Sequence, residues 1–400
     1  MSLLGRIALA SAVHLGSISI EHVRVVDGQT PPRDDMTVVI EGSHIAAIGK
    51  QPPAAGSTRI DGRGRVLSPS LWAVSSHAGL LTVDDVPDAE DASADGLLLA
   101  PELRALDGFN PAASQLTQLR LQGVGQVLLL PTGRLIAGQA ALVELNTGVA
   151  GLPPRAPVAL VGSVAGIAGL SRAHAWMIWR EALAELRRSF KSVPPPPQPL
   201  LRPQQLEALA PLLRRRLPLM LWLDRAADIA QAVAWAEQEG LRLMVIGGAE
   251  AHQVAPLLAR AQVPVLLRPS MQQVGDLNAL AARLDAATLL HAAGVQLVIT
   301  SQGELAHEDL RLRQEAGLAV RFGLPYTAAL AAISSTPAQL WAAGEAVGQV
   351  AVGQRANLVL WSGDPLEVRS VSEQIWIGGV QQPRQTRQSA LVQRYLAARP

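Results

Sequence analysis

Three polar residues end an apolar stretch near the start of the chain. Ser75, Ser76 and His77 close the run VLSPSLWAVSSH, which begins at Val66. An imidazole can bind a metal ion or transfer a proton near neutral pH. A serine hydroxyl becomes a nucleophile only where a base and an oxyanion hole accompany it. Because the chain has no G-x-S-x-G motif, a serine nucleophile is disfavoured and His77 is the stronger candidate.

A second group of candidate residues lies at the end of a later apolar run, Leu219–Leu223. Trp222 is its penultimate residue, and Asp224 and Arg225 follow it directly. Asp224 is predicted to cap the next helix, because a short acidic side chain accepts hydrogen bonds from the first free N–H groups. Arg225 could instead point into a pocket and bind a carboxylate.

The last predicted strand, Val295–Ser301, is followed by two further candidates, Gln302 and His307. An amide is uncharged near pH 7, so Gln302 cannot serve as a general base. His307 follows a strand as His77 does, and the two are predicted to face the same pocket. The other histidines in this part of the chain are interpreted as hydrogen-bonded structural residues: His174, His252 and His291.

Composition excludes several classes of function. The chain of 400 residues has no cysteine, which rules out disulfides, thiolate metal sites and a cysteine nucleophile. A net charge of +1 gives no electrostatic argument for nucleic acid or an anionic membrane as partner. The carboxylates of Asp84–Asp95 lack a histidine or a regular ligand spacing, so this stretch is predicted to be a solvated loop.

The N-terminus leaves the compartment open. Arg6 precedes the apolar run Ile7–Val13, which is typical of a weak signal peptide or of a frayed leader. The protein is therefore expected in the cytoplasm or the periplasm. The sequence has no run of 18 apolar residues, so it predicts no membrane span.

The candidate residues can form one site only if the fold places the ends of their strands side by side. From Pro203 onward, strands and helices alternate every 20–25 residues, which predicts parallel βα units and favours a (β/α)8 barrel over an open doubly wound sheet. The early strands of Ser17–Ile48 cannot bury both faces alone. The late strands of Gly348–Trp376 are predicted to complete them in a small β-sandwich.

Several stretches resemble the amidohydrolase superfamily. Pro69, Leu71, Trp72 and His77 are in register with its first barrel strand, Pro-Gly-Leu-x-Asp-x-His-x-His. DGFNP and IAGQAALVEL resemble its imidazolonepropionase-like branch. The ending VGQVAVGQRANLVLWSGDP resembles the superfamily's C-terminal motif, with Asn357 in place of an aspartate.

The resemblance implies a metal site whose ligands this chain has largely lost. The superfamily uses a His-x-His pair after the first strand, further histidines, and an aspartate after the last strand. Here Ser75 replaces the first histidine of the pair, Ala73 replaces the aspartate of the motif, and Trp222 stands at a histidine position. Gln302 is assigned to the position of the catalytic aspartate. His77 is the single vestigial ligand.

These observations together predict an α/β protein with three segments. Residues 1–66 and 346–400 are assigned to the β-sandwich and tail, and residues 67–345 to the barrel. The family reaction is metal-dependent hydrolysis of non-peptide C–N bonds in cyclic amides. This copy is expected to lack the zinc or other divalent metal, and to bind or assemble rather than catalyse. The alternative is an active hydrolase with an atypical site. Expected partners are a small molecule in the barrel mouth and a second copy or a related amidohydrolase subunit.

Overall fold

The computed structural model describes residues 17–50, 56–81, 90–94, 96–146, 156–191, 194–275, 277–301, 306–342 and 344–397. The strands in this part of the chain are β1 (Ile18–Val25), β2 (Arg33–Glu41), β3 (His44–Gly49), β4 (Thr58–Asp61), β5 (Val66–Pro69), β6 (Leu71–Ser76), β7 (Val124–Leu129), β8 (Ile136–Glu144), β9 (Ala159–Ser163), β10 (Leu219–Leu223), β11 (Leu243–Gly247), β12 (Val265–Leu267), β13 (Leu297–Ile299), β14 (Leu358–Trp361), β15 (Ser372–Ile377) and β16 (Val380–Gln381).

The α-helices of the same residues are α1 (Ser114–Leu121), α2 (Arg172–Phe190), α3 (Pro203–Leu213), α4 (Ala226–Glu239), α5 (Ala255–Arg260), α6 (Ala286–Ala292), α7 (Leu312–Arg321), α8 (Tyr326–Ala332), α9 (Ser335–Trp341) and α10 (Arg387–Ala397). Among the described residues, none of these helices is long and apolar enough to cross a membrane.

Strands from both chain ends share one mixed sheet. Its order is β16-β15-β14-β5-β1-β2-β3, and β4 pairs with β1. The late strand β14 lies antiparallel to β5, with Leu358 opposite Pro69. Alternating apolar residues give this sheet its own core: Ile20, Val23, Val38, Leu67, Leu358, Leu360 and Trp376. The early and late strands therefore form one sheet, as predicted. That this sheet makes a two-layer sandwich, and the predicted boundaries of the three segments, stay predictions.

The second sheet is a nearly closed barrel of eight strands in sequential order from β6 to β13. Its neighbours are parallel except at β8, which is antiparallel to both β7 and β9. A purely parallel (β/α)8 barrel is thus not what forms. Residues 130–135 alone join β7 to β8, which is too short for the crossover that a parallel pair needs.

The barrel is a packed core rather than a pore. Its interior is filled by side chains from every strand, among them Trp72, Val74, Leu128, Met220, Met244, Leu266 and Val298. Residues that alternate with these face the helices, where Leu71, Leu219, Val245, Leu267 and Ile299 belong to a larger apolar cluster. The near-continuous apolar runs of the sequence follow from burial on both faces.

The alternation of the sequence also predicts helices over Glu250–Ala261 and Leu277–Ala293 and a late strand over Val347–Val352, and the structure differs at all three. The first helix divides into a 3₁₀ helix, Ala251–Val254, and α5. Pro256 lacks the N–H that a continuous helix would need. Only the last half of the predicted helix Leu277–Ala293 forms, as α6, and Leu277 is 81% exposed. The predicted strand Val347–Val352 has no ladder partner among the described residues.

Candidate functional site

The C-terminal ends of the parallel barrel strands meet at one end of the barrel, as in other barrels of this kind. We call the last two residues of β6, β7, β9, β10, β11, β12 and β13, together with the two residues that follow each of them, the rim. His77 follows β6, and Asp224 and Arg225 follow β10. Trp222 is the penultimate residue of β10. The structure thus places these four predicted residues at the rim, and their common pocket stays a prediction.

The side chains of two predicted residues, Gln302 and His307, lie outside the described part of the chain. Gln302 is not among the described residues, and only the backbone of His307 is described, in a 3₁₀ helix, Ala306–Arg311. The described chain that continues from β13 ends at Ser301, which is fully buried, and resumes at residue 306. Of the acidic loop, only residues 90–94 are described; there, the Thr132 hydroxyl bonds Glu90 Oε1 at 3.2 Å.

His77 is an uncharged imidazole at the rim. Burial lowers the pKa of its ring to about 4, so the ring is neutral at ordinary pH. Its Nε2 atom is inaccessible to solvent and has no hydrogen-bond partner among the described residues. The hydroxyl of Ser75 is likewise buried and unpartnered. Ser75 has a left-handed φ of 63°, at a point where β6 slips in register against β7. These two buried polar groups without a partner could bind a ligand at the rim.

Trp222 occupies the position at which the resemblance implies a histidine. It lies opposite Ser163 on β9 and Ile246 on β11. Its indole is half-buried and packs against the interior cluster of the barrel. An indole N–H donates hydrogen bonds only and has no lone pair to offer a cation. At this strand end, a large apolar ring takes the space of a ligand.

The predicted capping role of Asp224 is wrong. The N-cap residue of α4 is Arg225, with no side-chain cap. Asp224 Oδ1 instead accepts the Ala249 N–H at 3.2 Å. A Cβ atom on Gly247 would lie 2.5 Å from the same oxygen, so the carboxylate fits against the turn after β11. Asp224 therefore joins two neighbouring loops of the rim.

Glu250, which the sequence assigns to a helix start, supplies the cap that α4 lacks. Its Oε2 accepts the N–H of Ala226, the first residue of α4, at 3.0 Å. Its Oε1 accepts the Ala281 N–H at 3.0 Å. Glu250 is 8% exposed, so both backbone groups would be left unpaired without it. The partner positions lie 24 and 31 residues away, which no local sequence pattern indicates.

Replacing Glu250 with alanine should lower the free energy of unfolding by about 2 kcal/mol, since the N–H groups of Ala226 and Ala281 lose a carboxylate acceptor. Urea titration would measure the change. Glu41→Ala is the matched control, because Glu41 is exposed at the end of β2 and should change stability by less than about 0.5 kcal/mol. Equal losses in the two variants would contradict the capping role.

Arg225 binds within its own helix. Its Nη2 donates to Asp228 Oδ1 at 2.8 Å, and the other oxygen of Asp228 accepts from Arg172 Nε at 2.7 Å. Arg172 also bonds Asn278. Asp228 is buried, so this network fixes the starts of α2 and α4 beside the rim. The predicted role of Arg225 in binding a carboxylate stays a prediction, and its Nε has no partner.

Asp309 is a site residue that sequence reasoning missed. Its carboxyl accepts the Ser76 hydroxyl at 2.5 Å, across 233 positions of sequence. Burial, the largest cause, raises the pKa of Asp309 to about 7, and the neighbouring Glu308 acts in the same direction. Glu308 and Glu315 pair with Arg268, which follows β12, at 2.8 and 3.1 Å. Only this long-range contact distinguishes Asp309 from a solvated loop acid.

The donors at the rim do not fit a catalytic metal. A catalytic zinc site needs about three protein ligands and an open position. Within the described ranges, no group of three or more histidine, aspartate or glutamate side chains could hold a metal ion. His77 is one imidazole, and Trp222 offers no lone pair. No reaction step can therefore be derived through a metal on these residues.

Comparisons with known proteins agree with this architecture. No family model matches the chain. A curated relative, amidohydrolase tasK of Hapsidospora irregularis, is 23% identical over 86% of the chain. The chain is therefore similar in sequence to an amidohydrolase. It spans only 39% of the length of that relative.

Solved structures show the same fold. An amidohydrolase from Thermotoga maritima superposes on this chain with a TM-score of 0.83 at 21% identity, covering 92% of this chain and all of the other. A putative prolidase from Bifidobacterium longum gives 0.58 at 12% identity, covering 96% and 100%. A zinc-bound adenosine deaminase from Xanthomonas campestris gives 0.57 at 16% identity, covering 96% and 97%. The resemblance to amidohydrolases that the sequence indicates is confirmed in sequence by this relative, and the solved structures confirm the fold.

Proposed function

We propose that this protein is an amidohydrolase-superfamily member of the imidazolonepropionase-like branch whose barrel is metal-free and catalytically impaired. It keeps a binding or assembly role in place of the family reaction, the hydrolysis of non-peptide C–N bonds in cyclic amides. The observation that carries this proposal is Trp222. Its indole packs into the barrel at a strand end where the resemblance implies a histidine ligand.

The chemistry of the remaining groups supports the same proposal. In the family reaction, a metal lowers the pKa of bound water from about 15.7 to about 7. A single imidazole gives too few bonds to offset the dehydration of a divalent cation. Among the described side chains of the rim, His77 is that single imidazole, and the nearby Ser75 offers only a neutral hydroxyl. Without a metal the water stays a poor nucleophile, so turnover is expected to be absent or feeble.

The partners that we propose follow from the rim and from the family. A small uncharged molecule in the barrel mouth would satisfy Ser75 Oγ and His77 Nε2, both of which are buried without a partner. A second copy or a related amidohydrolase subunit is the proposed assembly partner. The net charge of +1 gives no support for nucleic acid. We also propose that the sheet built from both chain ends forms a small β-sandwich domain beside the barrel.

The second candidate function is an active hydrolase that uses an atypical site. The observation in its favour is the Ser76–Asp309 pair, because the pKa of Asp309 at about 7 suits a general base. Burial opposes this reading. Ser76 is 0% exposed and Asp309 is 4% exposed, and the Ser76 hydroxyl is already engaged by the Asp309 carboxyl and the Ala78 N–H. The pair therefore fits a structural role better than a catalytic one.

Protein purified without chelator should contain far less than one metal ion per chain. Elemental analysis of the intact chain is the measurement. Ser75→His should bind no metal either, since one restored imidazole still leaves too few ligands. About one metal per chain, together with chelator-sensitive turnover of a cyclic amide, would overturn the proposal and favour the active hydrolase.

A further inference from the structure

The barrel has an open seam between its first and last strands. The strand order runs from β13 to β6 without a ladder that joins these two ends, so the described residues leave the ring incomplete. β13 is only three residues long. An unpaired pair of strand edges exposes N–H and C=O groups that need other partners.

The backbone groups of β6 that face the seam do have other partners. The Trp72 N–H donates to Ile333 O, at the end of α8, at 2.9 Å. Two residues further along the same edge, Val74 O accepts the hydroxyl of Thr300 at 2.6 Å. Thr300 directly follows β13, so this bond crosses the seam from the end of β13 to the middle of β6. A side chain replaces the missing ladder bond.

The next bond across the seam is the one between Ser76 and Asp309. The Ser76 hydroxyl donates to Asp309 Oδ2 at 2.5 Å and accepts the Ala78 N–H at 3.0 Å. On the other side, the Ser301 hydroxyl donates to the backbone oxygen of Asp309 at 3.3 Å. One residue of the 3₁₀ helix Ala306–Arg311 thereby contacts both the end of β6 and the end of β13.

The segment that carries Asp309 is itself fixed to the barrel. Arg268, which follows β12, bonds Glu308 next to Asp309 and Glu315 on α7. The Ser270 N–H and hydroxyl also donate to Glu315, at 2.8 and 2.6 Å. These bonds anchor Asp309 on the β12–β13 side of the seam. Its bond to Ser76 is then the contact that spans the gap.

We propose that the Ser76–Asp309 and Thr300–Val74 hydrogen bonds form a latch that holds the barrel closed, and that the barrel opens at this seam. Both bonds are buried, and each can be broken without disturbing a strand ladder. His77 follows Ser76 directly, so movement of β6 away from β13 widens the rim beside His77. The latch controls access to the orphaned groups of the rim, and it does not depend on whether the rim binds a metal.

Hydrogen exchange followed by mass spectrometry on the intact chain tests the latch. Ser76→Ala and Thr300→Val each remove one bond across the seam. In each variant we expect amide exchange to rise about tenfold in peptides that cover β6 and β13, the effect of one lost buried hydrogen bond on a local opening. Peptides that cover β10 and β11, on the other side of the barrel, should keep the wild-type rates.

Ser163→Ala is the matched control. Ser163 also ends a barrel strand, but its hydroxyl bonds only the nearby Ala165 and lies away from the seam. It should leave the exchange of β6 and β13 unchanged. Wild-type exchange at the seam in both latch variants would overturn the proposal. So would an equal rise in all strands, because that result means global loss of stability. If Ser76→Ala does not fold, Thr300→Val alone decides.

Discussion

Replacing Asp309 with asparagine should change how the stability of the protein depends on pH. The buried carboxyl of Asp309 keeps its proton up to about pH 7, whereas in the unfolded chain its pKa returns to 3.8. Between these values the folded state binds more protons than the unfolded state, so stability falls as the pH rises. The loss is complete above about pH 7 and reaches about 4 kcal/mol, and Asp309→Asn should remove it.

His77 has the opposite effect in an overlapping range. Its pKa is about 4 in the folded protein and 6.5 in the unfolded chain. The folded state therefore binds fewer protons in this interval, and stability rises with pH by up to about 3 kcal/mol. In the wild-type protein the two slopes nearly cancel. Asp309→Asn should expose the rising slope, and His77→Phe should expose the falling one.

Urea titrations from about pH 4 to about pH 8 would measure both slopes, with fluorescence and circular dichroism compared to test for a single transition. The charged groups that act on Asp309 are Glu308 and Arg268, whose pairing is kept in both variants. Arg120 on α1 and Glu315 on α7, charged residues of the helices that pack next to Asp309, are also unchanged in both variants. Parallel profiles for the wild-type protein and both variants would contradict these protonation states.

The strand ends of the rim could be predicted from the sequence, because an apolar run followed by polar residues marks a buried strand. This places His77, Trp222, Asp224 and Arg225 correctly along the chain. The side-chain partners could not be predicted in the same way. Asp224 looks like a cap from its neighbours alone, yet its partner is the turn after the next strand.

Long-range contacts explain the largest differences from the sequence prediction. Strand direction at β8 depends on how far residues 130–135 can reach, and apolar periodicity carries no information on direction. Asp309 lies in a segment that is rich in charge, where a solvated loop is the simpler prediction. Its burial results from the seam, which itself exists only because β6 and β13 do not pair. Neither fact has a local signature.

The junction of the small sheet and the barrel centres on Trp361 of β14. Its ring is fully buried, and its Nε1 donates to the Ser68 hydroxyl on β5 at 2.8 Å. The guanidinium of Arg313 on α7 lies 4.9 Å from the ring centroid. A Cβ atom on Gly123 would lie 2.4 Å from the same ring. The side chain thus belongs to the late strand of the small sheet while it packs in the apolar cluster of the barrel helices.

Replacing Trp361 with alanine should therefore lower the free energy of unfolding by about 3–5 kcal/mol, the usual cost of truncating a buried aromatic residue. Trp361→Phe keeps a ring beneath Arg313 and loses the bond to Ser68, so about 1–2 kcal/mol is expected. Trp222→Ala is the matched control, because the same indole is only half-buried at the rim and should cost less than half as much. Urea titration measures all three variants. If Trp361→Ala cost no more than Trp222→Ala, the packing of β14 against the barrel helices would not stabilise the fold.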